Sequence, residues 1–230
     1  MLSKAHCRKS IAMLRALESR LQTAHMRLAI PFIFRGKGHF KSMRCMQNPW
    51  EIEQLFNIVC AMQPKHLLEI GTAKGGALYL WAQAAAPDAA LISVDLPLGN
   101  YGGGYPACRI PFYQSFVRHK QKMHLVRADS HSEKTVQEVL NLLQGSKLDF
   151  LFIDGDHTYE GVKRDFALYS PLVKPGGLIG FHDILPRKDV LGIEVDRFWN
   201  EIRTRYPSEE LIHQGTADRA IGCGLIRLPI

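Results

Sequence analysis

Residues 67–76 read LLEIGTAKGG, and this stretch decides the fold because of what lies around it. A short apolar run ends near Glu69, a glycine-rich turn follows, and an amphipathic segment begins at Gly75. A second apolar run, LISVD, ends at Asp95, about one strand–helix–strand unit further on. Glycine allows a tight turn and close approach of a ligand to the backbone, and the next helix offers unpaired N–H groups. The layout predicts a site for a nucleotide-like ligand.

Beyond this stretch, apolar runs alternate with amphipathic segments up to the C-terminus. The predicted strands are HLLEI (66–70), ALISVD (90–95), MHLVRAD (123–129), LDFLFID (148–154), GLIGFHD (177–183), ELIHQ (210–214) and AIGCGLIRL (220–228). The predicted helices are Gly75–Ala86, Phe112–Lys120, Ser132–Gln144, Tyr159–Ser170 and Glu194–Tyr206. This alternation is typical of a parallel sheet, and the short link GTADR predicts a final antiparallel hairpin. We therefore predict an α/β, Rossmann-like, doubly wound seven-stranded sheet whose last strand is antiparallel.

The N-terminal part of the chain carries most of the net charge of +7, with ten lysines and arginines against one acid in residues 1–44. Within residues 10–30, apolar residues recur at helical spacing, which predicts an amphipathic helix ended by Pro31. We predict a basic helical extension over residues 1–48 and a second unit over residues 49–230. The helix would form a homo-oligomer contact or cap a neighbouring subunit, while a membrane-surface contact and a solvated face stay open alternatives.

Cysteine usage and hydropathy exclude several classes of protein. The five cysteines are scattered and lack CxxC spacing, so we expect reduced thiols rather than a disulfide framework or a zinc site. Neither a signal peptide nor an apolar run of about 20 residues, the length of a transmembrane helix, is found. These features predict a cytoplasmic protein without a transmembrane segment.

Acidic residues follow the second and third predicted strands, where ligands bind in open α/β sheets. Asp95 is placed to accept both hydroxyls of a ribose, and Asp129, followed by Ser130, is placed to bind an adenine edge. Each aspartate alone also suits a helix cap or a turn. The turn itself reads G-x-A-x-G from Gly71 to Gly75, which departs from the G-x-G-x-x-G of dinucleotide sites. The pattern disfavours a NAD-dependent oxidoreductase.

From about residue 63 onward, the chain resembles class I S-adenosylmethionine-dependent methyltransferases. EIGTAKGG matches their first motif, with alanine replacing one usual glycine, while SVD and RADS match their ribose-binding and adenine-contacting acids. The resemblance implies S-adenosylmethionine as the cofactor. It implies a methionine-binding set made of Glu69, Gly71, Thr72, Ala73, Gly75 and Gly76, and an adenosine-binding set made of Asp95, Asp129 and Ser130, with Asp154 also beside the cofactor.

A second group of polar residues follows the fourth and fifth predicted strands. IDGDH contains Asp154, Asp156 and His157, and FHD contains His182 and Asp183. Neighbouring strand ends would bring these side chains together, and carboxylates suit a hard divalent cation. Asp154 and Asp183 are the first candidates as ligands, completed by His182 or Asp156. The alternative is that the aspartates cap helices and His157 packs in the core.

The segments IDGDHTYEGVKRDF and LVKPGGLIGFHD resemble the O-methyltransferase branch of cephalosporin-hydroxylase-like proteins and of rhamnosyl and macrolide-sugar enzymes. The resemblance implies Mg²⁺ or another divalent cation held by Asp154, His182 and Asp183, with His157 as general base. His182 stands where an acidic ligand is usual. The expected activity is transfer of a methyl group to a hydroxyl of a small molecule, such as a sugar or secondary metabolite.

Two further hypotheses on function remain beside this one. The basic N-terminus would suit a nucleic-acid-binding protein or RNA methyltransferase, which we rank lower because no aromatic–basic interleaving is found. A non-catalytic scaffold with the same fold is disfavoured by the Asp154, His157 and Asp183 set. Finally, the loop over residues 96–112 contains Tyr101, Tyr105 and Arg109 and is predicted to be a flap over the ligands or a passive surface loop.

Overall fold

The computed structural model of this protein describes residues 29–35, 43, 45–99, 104–187, 190–215 and 220–230. Most of the predicted N-terminal helix over residues 10–30 lies outside the described residues, and so does Tyr101. The oligomer and membrane roles that we assign to the N-terminal extension therefore stay predictions.

A seven-stranded sheet forms the centre of the fold, in the order β3-β2-β1-β4-β5-β7-β6. The strands are β1 (His66–Ile70), β2 (Ala90–Val94), β3 (Lys122–Val126), β4 (Leu148–Ile153), β5 (Val173–His182), β6 (Ser208–Leu211) and β7 (Cys223–Arg227). The first five are parallel, and β7 runs antiparallel to both β5 and β6. The predicted fold class is confirmed, because the doubly wound order and the final antiparallel strand are both present.

Seven α-helices connect or flank the strands in the described part of the chain. They are α1 (Ala29–Arg35), α2 (Pro49–Met62), α3 (Gly76–Ala84), α4 (Ile110–Gln114), α5 (Glu133–Leu143), α6 (Tyr159–Tyr169) and α7 (Val195–Ile202), with 3₁₀ turns at Ala107–Arg109 and Ser170–Leu172. Helix α4 ends earlier than the predicted Lys120. The Gln121 side chain donates to the carbonyls of Ala82, Ala85 and Ala86 at the end of α3, which fixes this segment outside a helix.

Each face of the sheet covers its own hydrophobic cluster, because successive side chains of a strand point to opposite faces. On β1, Leu67 belongs to the cluster beneath α2 and α3, whereas Leu68 belongs to the cluster beneath α5, α6 and α7. Burial on both faces explains the nearly continuous apolar runs of the parallel strands. The carboxyl ends of β1, β2, β4 and β5 are left as the edge where ligands meet the sheet.

Residues before position 49 also pack into the core. Ile30, Ile33, Met43 and Cys45 are all buried in the same cluster as α2 and α3. The packed structure therefore begins before the predicted division at residue 48. Pro31 was expected to end a helix and that expectation was wrong, because it lies in the first turn of α1, where its missing N–H does no harm.

Glu51 on α2 joins the N-terminal side of the domain to the final hairpin. Its fully buried carboxylate accepts backbone N–H groups from His213 at 3.0 Å, Ile221 at 3.2 Å and Gly222 at 2.8 Å. These donors lie in the segments that follow β6 and precede β7. Since buried N–H groups need partners, Glu51 holds the hairpin ends against α2.

We expect Glu51→Ala to lower the free energy of unfolding by about 3 kcal/mol, because one buried and two partly buried backbone donors lose their acceptor. Urea unfolding followed by circular dichroism measures this change. Glu53→Ala on the same helix, at a half-buried position, is the control and should leave stability nearly unchanged. Equal stability of the two variants would show that the Glu51 contacts do not hold the hairpin.

Candidate cofactor and catalytic site

Two cavities meet at Gly71, at the carboxyl end of β1. The first has a volume of about 330 Å³ and is lined by the turn after β1 and by Asp154, His157, His182 and Asp183. The second, of about 230 Å³, lies on the other side of the turn. It is lined by the residues that follow β2 and β3, among them Asp95, Asp129 and Ser130. The two predicted groups of residues thus share one edge of the sheet.

The turn after β1 depends on close backbone packing. Gly71 adopts φ +91°, and a Cβ atom built on it would lie 2.0 Å from the carbonyl oxygen of Asp154. Gly75 adopts φ +80°, and its Cβ would lie 2.7 Å from the Tyr113 ring. Ala73, which replaces a usual glycine, is also left-handed at φ 44°. The turn therefore keeps a glycine-like path although it carries one side chain there.

Tyr113 supports this turn from the flanking loop, a role that the sequence did not reveal. Its hydroxyl donates to the Ala73 carbonyl at 3.1 Å and accepts from Arg109 Nη1 at 3.1 Å. Tyr105 is 3% exposed and packs edge-on against the Tyr113 ring. Neither Tyr105 nor Arg109 lines the two cavities. In this structure both residues support the turn through Tyr113.

Asp95 lines the second cavity and is almost fully buried. Its Oδ2 accepts the backbone N–H groups of Gly104 at 2.9 Å and Tyr105 at 3.3 Å, and its Oδ1 accepts that of Thr72 at 3.3 Å. Burial raises the pKa of Asp95, while these amides oppose that change. In this structure Asp95, the predicted ribose acceptor, thus already accepts N–H groups from the turn after β1 and from the segment after β2.

Asp129 and Ser130 also line the second cavity, next to His131. Asp129 is exposed, and its Oδ1 accepts the His131 N–H at 2.8 Å. The imidazole of His131 lies 3.2 Å from Oδ1 of the fully buried Asp165 on α6, and the hydrogen bond raises the pKa of His131. His131 was not a sequence candidate, because its partner is 34 positions away along the chain.

The side chain of Glu69, on β1, is buried in the core and lines neither cavity. It is fully buried, and its Oε1 accepts from the Trp81 indole N–H at 2.9 Å. Burial raises its pKa well above the ordinary value, and the charges of Asp154 and Asp95 add to this change. The structure therefore does not bring Glu69 to the cavity surface where we predicted a contact with the methionine part of a cofactor.

Four side chains from β4, β5 and the segments after them form one cluster in the first cavity. Asp154 Oδ1 lies 3.3 Å from His157 Nε2 and 3.2 Å from His182 Nδ1. Asp183 Oδ2 lies 3.0 Å from the same His182 nitrogen and 3.8 Å from His157 Nδ1. Asp183 adopts φ 60°, a conformation uncommon for aspartate, which turns the chain directly after β5.

The electrostatics of this cluster favour charge separation between carboxylates and imidazoles. Burial alone would raise the pKa of Asp154, but His182 and His157 together hold it well below its usual range. Burial likewise opposes the charged form of His182, yet Asp154 and Asp183 raise its pKa to about 10. The same carboxylates raise the pKa of His157 against the effect of burial. Without another cation, the two carboxylates are thus paired with the two imidazoles, which take up protons more readily than usual.

The donor set matches a cation site in type and spacing. One ligand atom from each of Asp154, His182 and Asp183 lies within 4.8 Å of the others. Asp156, the other residue considered for this set, is bonded instead to the N–H and hydroxyl of Thr158 at 2.9 and 2.8 Å and lines the second cavity. Two carboxylates and one imidazole suit a divalent ion such as Mg²⁺ or Mn²⁺.

Two polar residues near the cluster were missed from the sequence. Gln47 Nε2 donates to Asp154 Oδ2 at 2.5 Å, and Arg187 Nη1 donates to Asp183 Oδ1 at 2.8 Å. Both also line the first cavity. Gln47 is 107 positions from its partner, so no local motif points to it.

None of the described helices is both long enough and apolar enough to span a membrane.

Comparison with known proteins places this chain in a family. The model of a family described as a methyltransferase domain matches residues 68–184, slightly more than half of the chain. The uncharacterised protein y4gI of Sinorhizobium fredii is 32% identical over 160 residues, which cover 68% of this chain and 17% of that protein. The uncharacterised protein R132 of Acanthamoeba polyphaga mimivirus is 28% identical over 152 residues, which cover 63% of this chain and 58% of that protein. The chain thus spans less than two thirds of either curated relative.

Among solved structures, an O-methyltransferase from Bacillus cereus in complex with S-adenosylhomocysteine has the same fold, with a TM-score of 0.64. The match covers 93% of this chain and 97% of that one, at 14% sequence identity. The sheet order and the glycine turn between the two cavities are consistent with the family match. The chain belongs to this family of methyltransferase domains.

Proposed function

We propose that this protein is an S-adenosylmethionine-dependent O-methyltransferase that acts on a hydroxyl group of a small molecule, such as a sugar or secondary metabolite. One observation carries the proposal: two cavities share Gly71, with Asp95 and Asp129 on one side and the Asp154–His157–His182–Asp183 cluster on the other. A cofactor with an adenosine end and a reactive methionine end fits this arrangement, with one end in each cavity.

The chemistry of the cavity residues fits the two ends of S-adenosylmethionine. In the second cavity, Asp95 and Asp129 provide acceptors for ribose hydroxyls and an adenine amino group. In the first cavity, the N-terminus of α3 follows the turn that holds Thr72, Ala73 and Gly75, and it favours a carboxylate. The O-methyltransferase from Bacillus cereus, which shares the fold, is in complex with S-adenosylhomocysteine, the compound left when S-adenosylmethionine loses its methyl group. These features support S-adenosylmethionine as the cofactor.

We assign the transfer step to the first cavity. S-adenosylmethionine supplies an electrophilic methyl group, and attack by oxygen requires the hydroxyl and methyl group to be aligned. A hydroxyl is a weak nucleophile until it loses its proton. His157 lines the cavity with its ring next to Asp154 and Asp183. A cation held by these carboxylates would offset their charge and favour the neutral imidazole, which can take that proton. We assign it the role of general base.

Asp154, His182 and Asp183 would hold a divalent cation beside His157. Such a cation lowers the pKa of a neighbouring hydroxyl. Asp154 and Asp183 would bind it as carboxylates, and the cation would take the place of the proton that His182 shares with them. His182 would contribute Nδ1, the nitrogen that already lies next to both carboxylates.

The size of the cavity favours a small acceptor over a nucleic acid. A volume of about 330 Å³ is at the lower end of the range for small-molecule sites. Most of the basic residues that motivated the nucleic-acid hypothesis lie outside the described residues, so the hypothesis has no support from the described cavity. We therefore retain the small-molecule acceptor.

We expect the protein to convert S-adenosylmethionine to S-adenosylhomocysteine in the presence of a hydroxylated acceptor and Mg²⁺. A panel of sugars, catechols and other hydroxylated metabolites, read by mass spectrometry, would identify an O-methylated product. Methylation of RNA, with every small acceptor inactive, would contradict the proposal and support the nucleic-acid alternative.

We expect Asp95→Ala to weaken S-adenosylhomocysteine binding by about 30-fold, because hydrogen bonds from ribose hydroxyls to a charged acceptor are lost. Isothermal titration calorimetry gives the dissociation constant. Asp88→Ala removes an exposed carboxylate just before β2 and serves as the control. Unchanged affinity in a folded Asp95→Ala variant would remove Asp95 from the cofactor site.

We expect His157→Ala to reduce kcat by about 10³-fold with the identified acceptor, because the general base is lost. Its affinity for S-adenosylhomocysteine should stay within about twofold of wild type, because the cofactor acids are intact. The exposed His119 provides a control as His119→Asn. If His157→Ala turns over at the wild-type rate, another group accepts the proton.

A further inference from the structure

Gln47 makes a contact that links the segment before α2 to the cluster of Asp154, His157, His182 and Asp183. Its side chain is 7% exposed, and its Nε2 donates to Asp154 Oδ2 at 2.5 Å. The opposite oxygen, Asp154 Oδ1, is the one that lies near His157 and His182. Each oxygen of this carboxylate therefore has a separate set of neighbours.

The orientation of the Gln47 amide follows from its other contacts. The backbone N–H of Met46 donates to Gln47 Oε1 at 3.1 Å, and Cys45 Sγ donates to the same oxygen at 2.5 Å. A backbone N–H is always a donor, so the atom that it contacts must be the amide oxygen. The nitrogen is then directed to Asp154. A buried Cys45 thiol, whose pKa burial raises, remains a neutral donor in this arrangement.

This arrangement fixes the rotation of the Asp154 carboxylate. Only 11% of the Asp154 side chain is exposed, and Asp154 directly follows the last residue of β4. With Oδ2 occupied by an amide donor, Oδ1 is the oxygen that lies next to His182 and His157. Partners of this kind orient metal-binding carboxylates and tune their affinity.

We propose that Gln47 is a positioning residue that holds Asp154 for cation binding, so that the site extends beyond residues 68–184 into the segment before α2. The inference rests on the metal site of the proposed function. Gln47 is not a ligand in this proposal, because its nitrogen is a donor and its oxygen is occupied by Met46 and Cys45.

The test measures Mn²⁺ binding by isothermal titration calorimetry and by electron paramagnetic resonance, without acceptor. Gln47→Met keeps the length of the side chain but removes the donor, and Gln47→Asn keeps an amide that is too short to reach Asp154. We expect both variants to bind Mn²⁺ about tenfold more weakly than wild type. S-adenosylhomocysteine affinity should stay within about twofold of wild type, and the urea midpoint should fall only modestly through the lost hydrogen bonds of Gln47. Gln54→Met, at a half-buried position on α2, is the control.

The outcomes separate this inference from the proposed function. Mn²⁺ affinity within twofold of wild type in both folded variants would overturn the positioning role and leave the metal site intact. A parallel fall in Mn²⁺ affinity, S-adenosylhomocysteine affinity and urea midpoint would show a merely structural role and overturn the inference. Absence of Mn²⁺ binding by the wild-type protein would overturn both the metal site and the role of Gln47.

Discussion

The close approach of β1 and β4 at their carboxyl ends is the constraint on which the site depends. A side chain on Gly71 would collide with the Asp154 carbonyl, so only glycine allows the two strand ends to meet. The Asp154 N–H donates to the Ile70 carbonyl at 2.8 Å and continues the strand pairing to this point. The glycine turn and Asp154 are thereby fixed relative to each other.

This contact explains how one sheet edge borders two cavities. Gly71 separates the cavity lined by Asp95 and Asp129 from the cavity with the carboxylate–imidazole cluster, and it borders both. Reactive groups on neighbouring rigid strands are held with little freedom, which methyl transfer needs because its geometry is linear. The like charges brought together here have an electrostatic cost. Burial and the nearby Asp95 and Asp154 disfavour ionisation of Glu69, and two histidines offset the charge of Asp154.

Local sequence signals predicted the fold well. The strand HLLEI was predicted with its observed bounds, since apolar runs and glycine turns are short-range features. The same signals located Asp95, Asp129 and Asp154 at strand ends, and the structure brings the first two to one cavity and the third to the other. Their roles with cofactor and metal remain proposals. Contacts between distant segments were not predictable: Gln47 with Asp154, Glu51 with the hairpin, and Tyr113 beneath the turn. Glu69 illustrates the converse, because its motif position suggested a ligand contact while its side chain turns to Trp81.

A crystal structure with S-adenosylhomocysteine tests the central claim most directly, namely that one cofactor crosses Gly71 between the two cavities. We predict the ribose against Asp95, the adenine beside Asp129, and the sulfur in the cavity of Asp154 and His157. Adenosine in the cavity of His157, or a ligand confined to one side of Gly71, would contradict the account.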